Sequence, residues 1–188
     1  MSEIETTETD PMTAPQKVLL TEEQIQTRIK ELAEQIRADY GDEEVLLVGV
    51  LKGSFLFLAD LCRHLGSNVT VDFMQVSSYG ARTKSSGNVQ LIKDLNINIL
   101  DKHVLLVEDI VDSGLTLLHI RNLLGTRRPK SLKAISLLIK PECLSHDAQL
   151  EYVGFDIPNR FVVGYGLDYA EYFRNLPYIA QVQLQSEE

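Results

Sequence analysis

The sequence lacks the long apolar stretches of a membrane protein. No run in its 188 residues approaches the roughly 18 consecutive apolar residues of a membrane-spanning helix. The N-terminus has neither the basic start nor the apolar stretch of a signal peptide. With 44% hydrophobic and 24% charged residues, the composition is that of one compact domain that can bury its own core, and we expect a cytoplasmic protein.

Cysteine and histidine are scarce and dispersed. Cys62 and Cys143 are far apart in apolar surroundings, so we expect small buried thiols rather than a disulfide or a paired metal site. None of the four histidines has a neighbour of ligand type. The sequence therefore gives no support to a metal centre built from histidine and cysteine.

The chain also lacks an excess of basic residues and carries a formal net charge of −9. Residues 1–16 and the two final glutamates hold −6 of it, which leaves −3 for the body. Such a body has no global attraction for nucleic acid, and we expect neither a nucleic-acid nor a membrane partner. We predict a disordered leader over residues 1–16, a single domain over residues 17–184 and an acidic tail over residues 185–188.

Helix and strand patterns alternate through the predicted domain, with no internal repeat. The capping-box spacing of Thr21 and Gln24 predicts the start of a first helix, which Gly41 can close. Continuous apolar runs predict two strands buried on both faces, each followed by a helix. These strands cover residues 45–51 and 103–107, the helices residues 55–65 and 115–124, and further strands residues 69–73, 89–92, 132–139 and 161–163.

This alternation predicts an α/β fold with a mainly parallel twisted sheet, which binds ligands outside the carboxyl ends of its strands. Residues 77–88 mix Ser, Gly, Lys and Arg without a period, and we interpret them as a mobile lid loop.

The most informative segment reads VLLVEDIVDSGLT over residues 104–116. It predicts a buried strand with Glu108 and Asp109 at the ligand-binding edge, then a turn at Gly114 and a helix start that can cradle phosphate. Asp112 or Ser113 alone would more often be a simple helix cap. Capping leaves the two adjacent carboxylates unexplained, whereas a ligand with both sugar hydroxyls and phosphate suits the whole segment.

This segment resembles the phosphoribosyl pyrophosphate motif of type I phosphoribosyltransferases. The resemblance extends over residues 45–182 and is strongest to hypoxanthine-guanine phosphoribosyltransferases, through LVGVLKGSFLF, SSY, SLLIK and VGFDIPNRFVVGYGLDYAEYFRNLPYI. It implies a fold with a small hood and a lid, two substrates (phosphoribosyl pyrophosphate and a 6-oxopurine base), a Mg²⁺ cofactor and a homodimer or homotetramer.

The resemblance also implies roles for individual residues. Glu108 and Asp109 would hold the ribose hydroxyls, and the 5′-phosphate would lie on Asp112, Ser113, Gly114, Leu115 and Thr116. Asp112 would also act as general base or acid near N7 of the purine. Lys140 would donate to the 6-oxo group, Phe161 would stack on the base, and the Val162 backbone would read the ring edge. Taken singly, Lys140 would be a solvated lysine and Phe161 a core residue.

For the leaving group, the resemblance implies Lys52, Gly53 and Arg174 as pyrophosphate contacts, with a cis peptide after Leu51. Asp168 would be the magnesium ligand, together with Glu108 and Asp109, and Ser78 and Tyr79 would belong to the lid. An isolated Asp168 or Arg174 would more often be a surface ion-pair member.

Leu115 departs from family members, including the mammalian ones, that have lysine at this position, and it indicates the bacterial branch. Adenine and orotate phosphoribosyltransferases share the strand and the cradle but lack the SLLIK and FVVGYGLDY pairing. An RNA-binding regulator on the same fold remains an alternative, although it would need a basic face. A response-regulator receiver domain has acidic strand ends too, but is usually shorter and has no use for the DSG cradle.

Overall fold

The computed structural model describes residues 17–78, 89–145 and 148–182. Strands and helices alternate along the chain, as predicted. In order, the elements are β1 Lys17–Leu20, α1 Glu22–Tyr40, β2 Val45–Leu51, α2 Phe55–Leu65, β3 Val69–Ser78, β4 Val89–Lys93, β5 His103–Val111, α3 Leu115–Gly125, β6 Ser131–Ile139, a 3₁₀ turn Pro141–Cys143, β7 Tyr152–Asp156, β8 Val162–Val163 and β9 Ile179–Gln181.

Six strands form the main sheet in the order β4-β3-β2-β5-β6-β7. All neighbours are parallel except the edge pair of β3 and β4, which is antiparallel. The predicted α/β fold with a mainly parallel sheet is confirmed. A separate antiparallel sheet, in the order β1-β9-β8, forms the small hood that the resemblance implied.

The main sheet is covered on both faces by apolar side chains, because successive residues of a strand point to opposite sides. On one face, Leu47, Leu105 and Ile135 pack with the apolar sides of α1 and α2. On the other face, Leu46 and Leu106 pack with α3. This double burial accounts for the continuous apolar runs of the central strands.

The first helix begins as the sequence predicts. The Thr21 hydroxyl accepts a hydrogen bond from the Gln24 N–H at 3.3 Å, and the Gln24 side chain accepts one from the Thr21 N–H at 2.9 Å. The helix ends at Tyr40, before Gly41 with φ +57°. Within the described part of the chain, no helix is long and apolar enough to cross a bilayer.

Some sequence-based expectations need correction. The strand predicted to end at residue 107 continues to Val111, and the one predicted over residues 69–73 continues to Ser78, which takes in the first two residues of the predicted lid. Cys62 and Cys143 are unpaired, as expected, but both are partly exposed rather than buried. The remaining lid residues, the predicted leader and the predicted acidic tail lie outside the described residues.

Candidate active site

Two acidic residues lie near the carboxyl end of the central strand β5. Glu108 is only 5% exposed, and its Oε1 atom has no hydrogen-bond partner among the described residues. The next residue, Asp109, is partly exposed. A buried polar atom without a partner is uncommon in proteins and is costly unless a ligand or ion satisfies it.

Both carboxyl groups lie where a negative charge is electrostatically unfavourable. Burial, reinforced by the negative charge of Asp109, raises the pKa of Glu108 well above its usual range. Burial also raises the pKa of Asp109 to about 6, although backbone N–H groups and the Arg174 cation oppose this effect. Such perturbed carboxyl groups at a sheet edge are typical of a functional site.

The turn after β5 has the geometry expected of an anion cradle. Gly114 adopts φ +81°, a conformation that favours glycine, and immediately precedes the first residue of α3, Leu115. The N-cap residue Gly114 gives α3 no side-chain cap, and the Leu115 N–H makes a long 3.4 Å contact with the Ser113 hydroxyl. Thr116 lies in the first turn of the same helix. The interpretation of Asp112 as a simple cap is therefore not supported.

Asp112 instead pairs with Lys140, which directly follows β6. The Lys140 ammonium lies 2.7 Å from Oδ1 of Asp112, and the Lys140 backbone N–H donates to the Val111 carbonyl at 3.0 Å. Lys140 is 9% exposed, so it is not the solvated lysine that its position alone would suggest. Because β5 and β6 are parallel neighbours, the sheet brings these two distant residues to one edge.

The loop after β2 closes tightly against Asp109. The peptide bond between Leu51 and Lys52 is cis, which is the geometry that the resemblance implies for this loop. A Cβ atom on Gly53 would lie 1.6 Å from the Asp109 carboxylate, so only glycine fits there without rearrangement. Gly166 is similarly constrained, since its Cβ would lie 2.0 Å from the Gly53 carbonyl oxygen. The β2 loop and the segment around Gly166 therefore meet beside Asp109.

Arg174 and Lys52 are linked through one acidic residue that sequence reasoning missed. Oε2 of Glu171 lies 2.9 Å from the Lys52 ammonium and 3.3 Å from the Arg174 guanidinium. Arg174 also pairs with Asp168 at 2.8 Å. The regular spacing of three residues between Asp168, Glu171 and Arg174 was a signal that they could meet in a turn. The two cationic residues among the three predicted pyrophosphate contacts, Lys52 and Arg174, thus each pair with a carboxylate.

The remaining predicted residues lie at the hood and at the lid. Phe161 is 39% exposed, which excludes the core alternative, and its ring meets that of Tyr169 edge-on at 5.7 Å. Val162 begins β8 and is buried. Ser78 ends β3, and Tyr79 lies outside the described residues. The predicted role of these two residues in a lid therefore stays a prediction.

Three carboxylates could serve a hard cation at this edge. Glu108 has an unpartnered buried oxygen, and Asp168 is close enough to Asp109 to raise the pKa of that carboxyl group. Among the described residues, no three acidic, His or Cys side chains form a preassembled metal cluster. This arrangement fits Mg²⁺, which is usually held by one or two carboxylates together with substrate phosphates.

Two carboxylates, a candidate anion cradle and two cationic loops thus lie together at the carboxyl ends of a parallel sheet. Comparisons with known proteins identify the family. The phosphoribosyl transferase domain model matches residues 15–170, and the chain belongs to this family.

Individual relatives carry more specific names. The chain is 49% identical over 164 residues to the hypoxanthine-guanine phosphoribosyltransferase of Bacillus subtilis, covering 87% of this chain and 91% of that protein. It is 50% identical over 171 residues to the protein of the same name from Dictyostelium discoideum, covering 89% and 95%. A crystal structure of a hypoxanthine-guanine phosphoribosyltransferase from Bacillus anthracis superposes with a TM-score of 0.87 at 50% identity, covering 90% and 100%. The resemblance found in the sequence is confirmed.

Proposed function

We propose that this chain transfers the 5-phosphoribosyl group from phosphoribosyl pyrophosphate to hypoxanthine or guanine, giving IMP or GMP and pyrophosphate. The observation that carries the proposal is the pairing of Lys140 with Asp112 at 2.7 Å beside the anion cradle. The Lys140 ammonium can donate a hydrogen bond to the 6-oxo group of a purine, and the Asp112 carboxylate can accept a proton from a ring nitrogen of the same base. The names of the relatives support the same reaction.

The donor is held by β5 and the turn that follows it. Asp109 and Glu108 accept hydrogen bonds from the two ribose hydroxyls, which gives the buried Glu108 oxygen the partner it otherwise lacks. The 5′-phosphate lies on residues 112–116, where backbone N–H groups at the start of α3 and the hydroxyls of Ser113 and Thr116 can donate to it.

The base is read between Lys140, Asp112 and the hood. The Lys140 ammonium has three donors, so it can serve the 6-oxo group while it remains near Asp112. Asp112 takes up the proton that the purine loses as its nitrogen bonds to the anomeric carbon. The exposed ring of Phe161 offers a stacking surface for the base, and the Val162 backbone lies beside it.

The pyrophosphate leaves as the bond between its oxygen and the anomeric carbon breaks. Lys52, Arg174 and the backbone at Gly53 receive the charge that develops on that oxygen. Asp168, with Glu108 and Asp109, would hold Mg²⁺, which when bound supplies further positive charge for the leaving group. Because Glu171 pairs with both cations, pyrophosphate would compete with a carboxylate for Lys52 and Arg174.

Pyrophosphate release tests the proposal directly. The purified chain should release pyrophosphate from phosphoribosyl pyrophosphate when hypoxanthine or guanine is present, with adenine as a much poorer substrate and no release without Mg²⁺. Omission of the purine is the control for simple donor hydrolysis. Absence of turnover with all three bases, together with tight binding of RNA, would instead favour a regulator on this fold.

Two further expectations accompany the enzyme. We propose a cytoplasmic homodimer or homotetramer, in line with the family resemblance. Light scattering coupled to gel filtration separates these assembly states from a monomer.

A further inference from the structure

A partly buried hydrogen-bond cluster lies behind the segment that carries Asp168 and Arg174. The Tyr165 hydroxyl donates to Oδ2 of Asp60, on helix α2, at 2.6 Å. The Gln26 side chain, on helix α1, donates to the same oxygen at 2.8 Å. Tyr165 is only 4% exposed, and its ring packs in the core formed by these two helices. Side chains of α1 and α2 therefore hold Tyr165, which belongs to the same segment as Asp168 and Arg174.

The backbone of Tyr165 adopts a conformation that side chains rarely take. Its φ is +49°, in the left-handed region where residues other than glycine, asparagine and aspartate are uncommon. Such a conformation persists where surrounding contacts fix it. The hydrogen bond to Asp60 and the packing of the ring are the contacts that do so here.

The position of Tyr165 is transmitted to Arg174 over a short path. The Tyr165 N–H donates to the Leu176 carbonyl at 2.8 Å, and the next residue, Gly166, donates to the Arg174 carbonyl at 2.9 Å. The Arg174 guanidinium in turn donates to the Gly166 carbonyl at 2.8 Å. Gly166 also lies against Gly53 with no room for a side chain. A shift of Tyr165 would thus move Arg174 relative to the Lys52 loop.

We propose that the Tyr165–Asp60 hydrogen bond is a positioning device for the pyrophosphate site. Tyr165 and Asp60 do not touch the reacting atoms; they set the place of Arg174, and with it Asp168, opposite Lys52 and Gly53. The inference rests on the proposed function, because it assigns pyrophosphate to these groups. Lys140 and Asp112 directly follow β6 and β5, outside this hydrogen-bond path. Phe161 and Val162 are held by backbone bonds to β9 and Val182, so the purine contacts should change less than the pyrophosphate site.

Tyr165→Phe removes the hydroxyl and keeps the buried ring. We expect it to raise the KM for phosphoribosyl pyrophosphate, and the Kd for inorganic pyrophosphate with Mg²⁺, by about tenfold, or about 1.4 kcal/mol. The KM for hypoxanthine should stay within about twofold of the wild-type value. Asp60→Ala should reproduce this selective effect, since it removes the acceptor instead of the donor.

Tyr152→Phe is the matched control. The Tyr152 hydroxyl donates to Asp39 at 2.5 Å, and Tyr152 is 5% exposed, so this variant also deletes a partly buried tyrosine–aspartate hydrogen bond. Tyr152 begins β7, at the end of the sheet opposite the carboxyl edge. We expect it to lower the free energy of unfolding without changing either KM. An equal rise of both KM values in Tyr165→Phe, or a donor KM no different from that of Tyr152→Phe, would overturn the proposal.

Hydrogen exchange on the ligand-free protein separates this inference from the proposed function. In Tyr165→Phe, the amides of Tyr165 and Gly166 should exchange at least about tenfold faster than in wild type, while Tyr152→Phe leaves them unchanged. If the wild-type protein neither binds pyrophosphate nor catalyses the reaction while the two variants still differ in exchange, the proposed function is wrong. In that case the Tyr165–Asp60 hydrogen bond does still fix the backbone at Tyr165 and Gly166. Unchanged exchange in Tyr165→Phe would refute the anchoring, whatever the activity.

Discussion

The two carboxylates on β5 should make the ligand-free protein less stable than it would be without them. Asp109→Asn removes one of the charges and keeps the shape of the side chain. Because burial raises the pKa of Asp109 to about 6, the folded protein binds this proton more tightly than the unfolded chain does, whose carboxyl has a pKa near 3.8. The charged form is therefore disfavoured in the folded state at neutral pH.

The sign and size of the effect follow from these two pKa values. The stabilisation from protonated Asp109 is complete below pH 3.8 and is lost as the pH rises through about 6. Each tenfold change in proton affinity is worth about 1.4 kcal/mol, so the full difference is at most about 3 kcal/mol. Removing the Asp109 charge also relieves Glu108, whose pKa that charge helps to raise, and this contribution has the same sign.

Urea unfolding of wild type and Asp109→Asn between pH 4 and pH 8 measures the effect. We expect the variant to exceed wild type in free energy of unfolding by about 1 to 3 kcal/mol at pH 8, with the advantage shrinking steadily as the pH falls through about 6. Asp42→Asn, which alters an exposed turn residue away from the carboxyl edge, is the control and should show no such trend. A difference between Asp109→Asn and wild type that does not change with pH would refute the electrostatic reasoning.

Three further predictions concern the reaction. Asp112→Asn should lower kcat by about 10² to 10⁴ while the affinity for phosphoribosyl pyrophosphate stays largely intact, and a near-normal kcat would remove Asp112 from proton transfer. Lys140→Ala should lower kcat/KM for hypoxanthine and guanine by at least about tenfold and reduce the ratio of these values to kcat/KM for adenine. If that ratio is unchanged, another group recognises the substituent at position 6 of the purine. Glu171→Gln should lower the Kd for inorganic pyrophosphate by about two- to fivefold, because the anion no longer competes with a carboxylate for Lys52. Calorimetry with Mg²⁺ measures this Kd, and a higher Kd in the variant would show that Glu171 orients the cations instead.

The sequence by itself determined the longer strands and helices, because each of these forms from a continuous stretch of residues. Local patterns can be recognised in the sequence alone. Examples are the apolar runs of β2 and β5, the capping box at Thr21 and the segment from the β5 carboxylates to Gly114. The short strands β1, β7 and β9 were not predicted. Two of them, β1 and β9, have only three or four residues and form through pairing with a distant segment, so they leave too little periodicity to detect.

The tertiary structure alone decided which distant residues meet at the carboxyl edge. Lys140 reaches Asp112 because β5 and β6 are parallel neighbours, and Gly53 must be glycine because Asp109 occupies the space of its side chain. Glu171 bridges Lys52 and Arg174 only after the β2 loop and the segment around Gly166 come together. Local sequence specifies the individual elements, whereas the packing of parallel strands, which joins ends far apart in the chain, specifies the site.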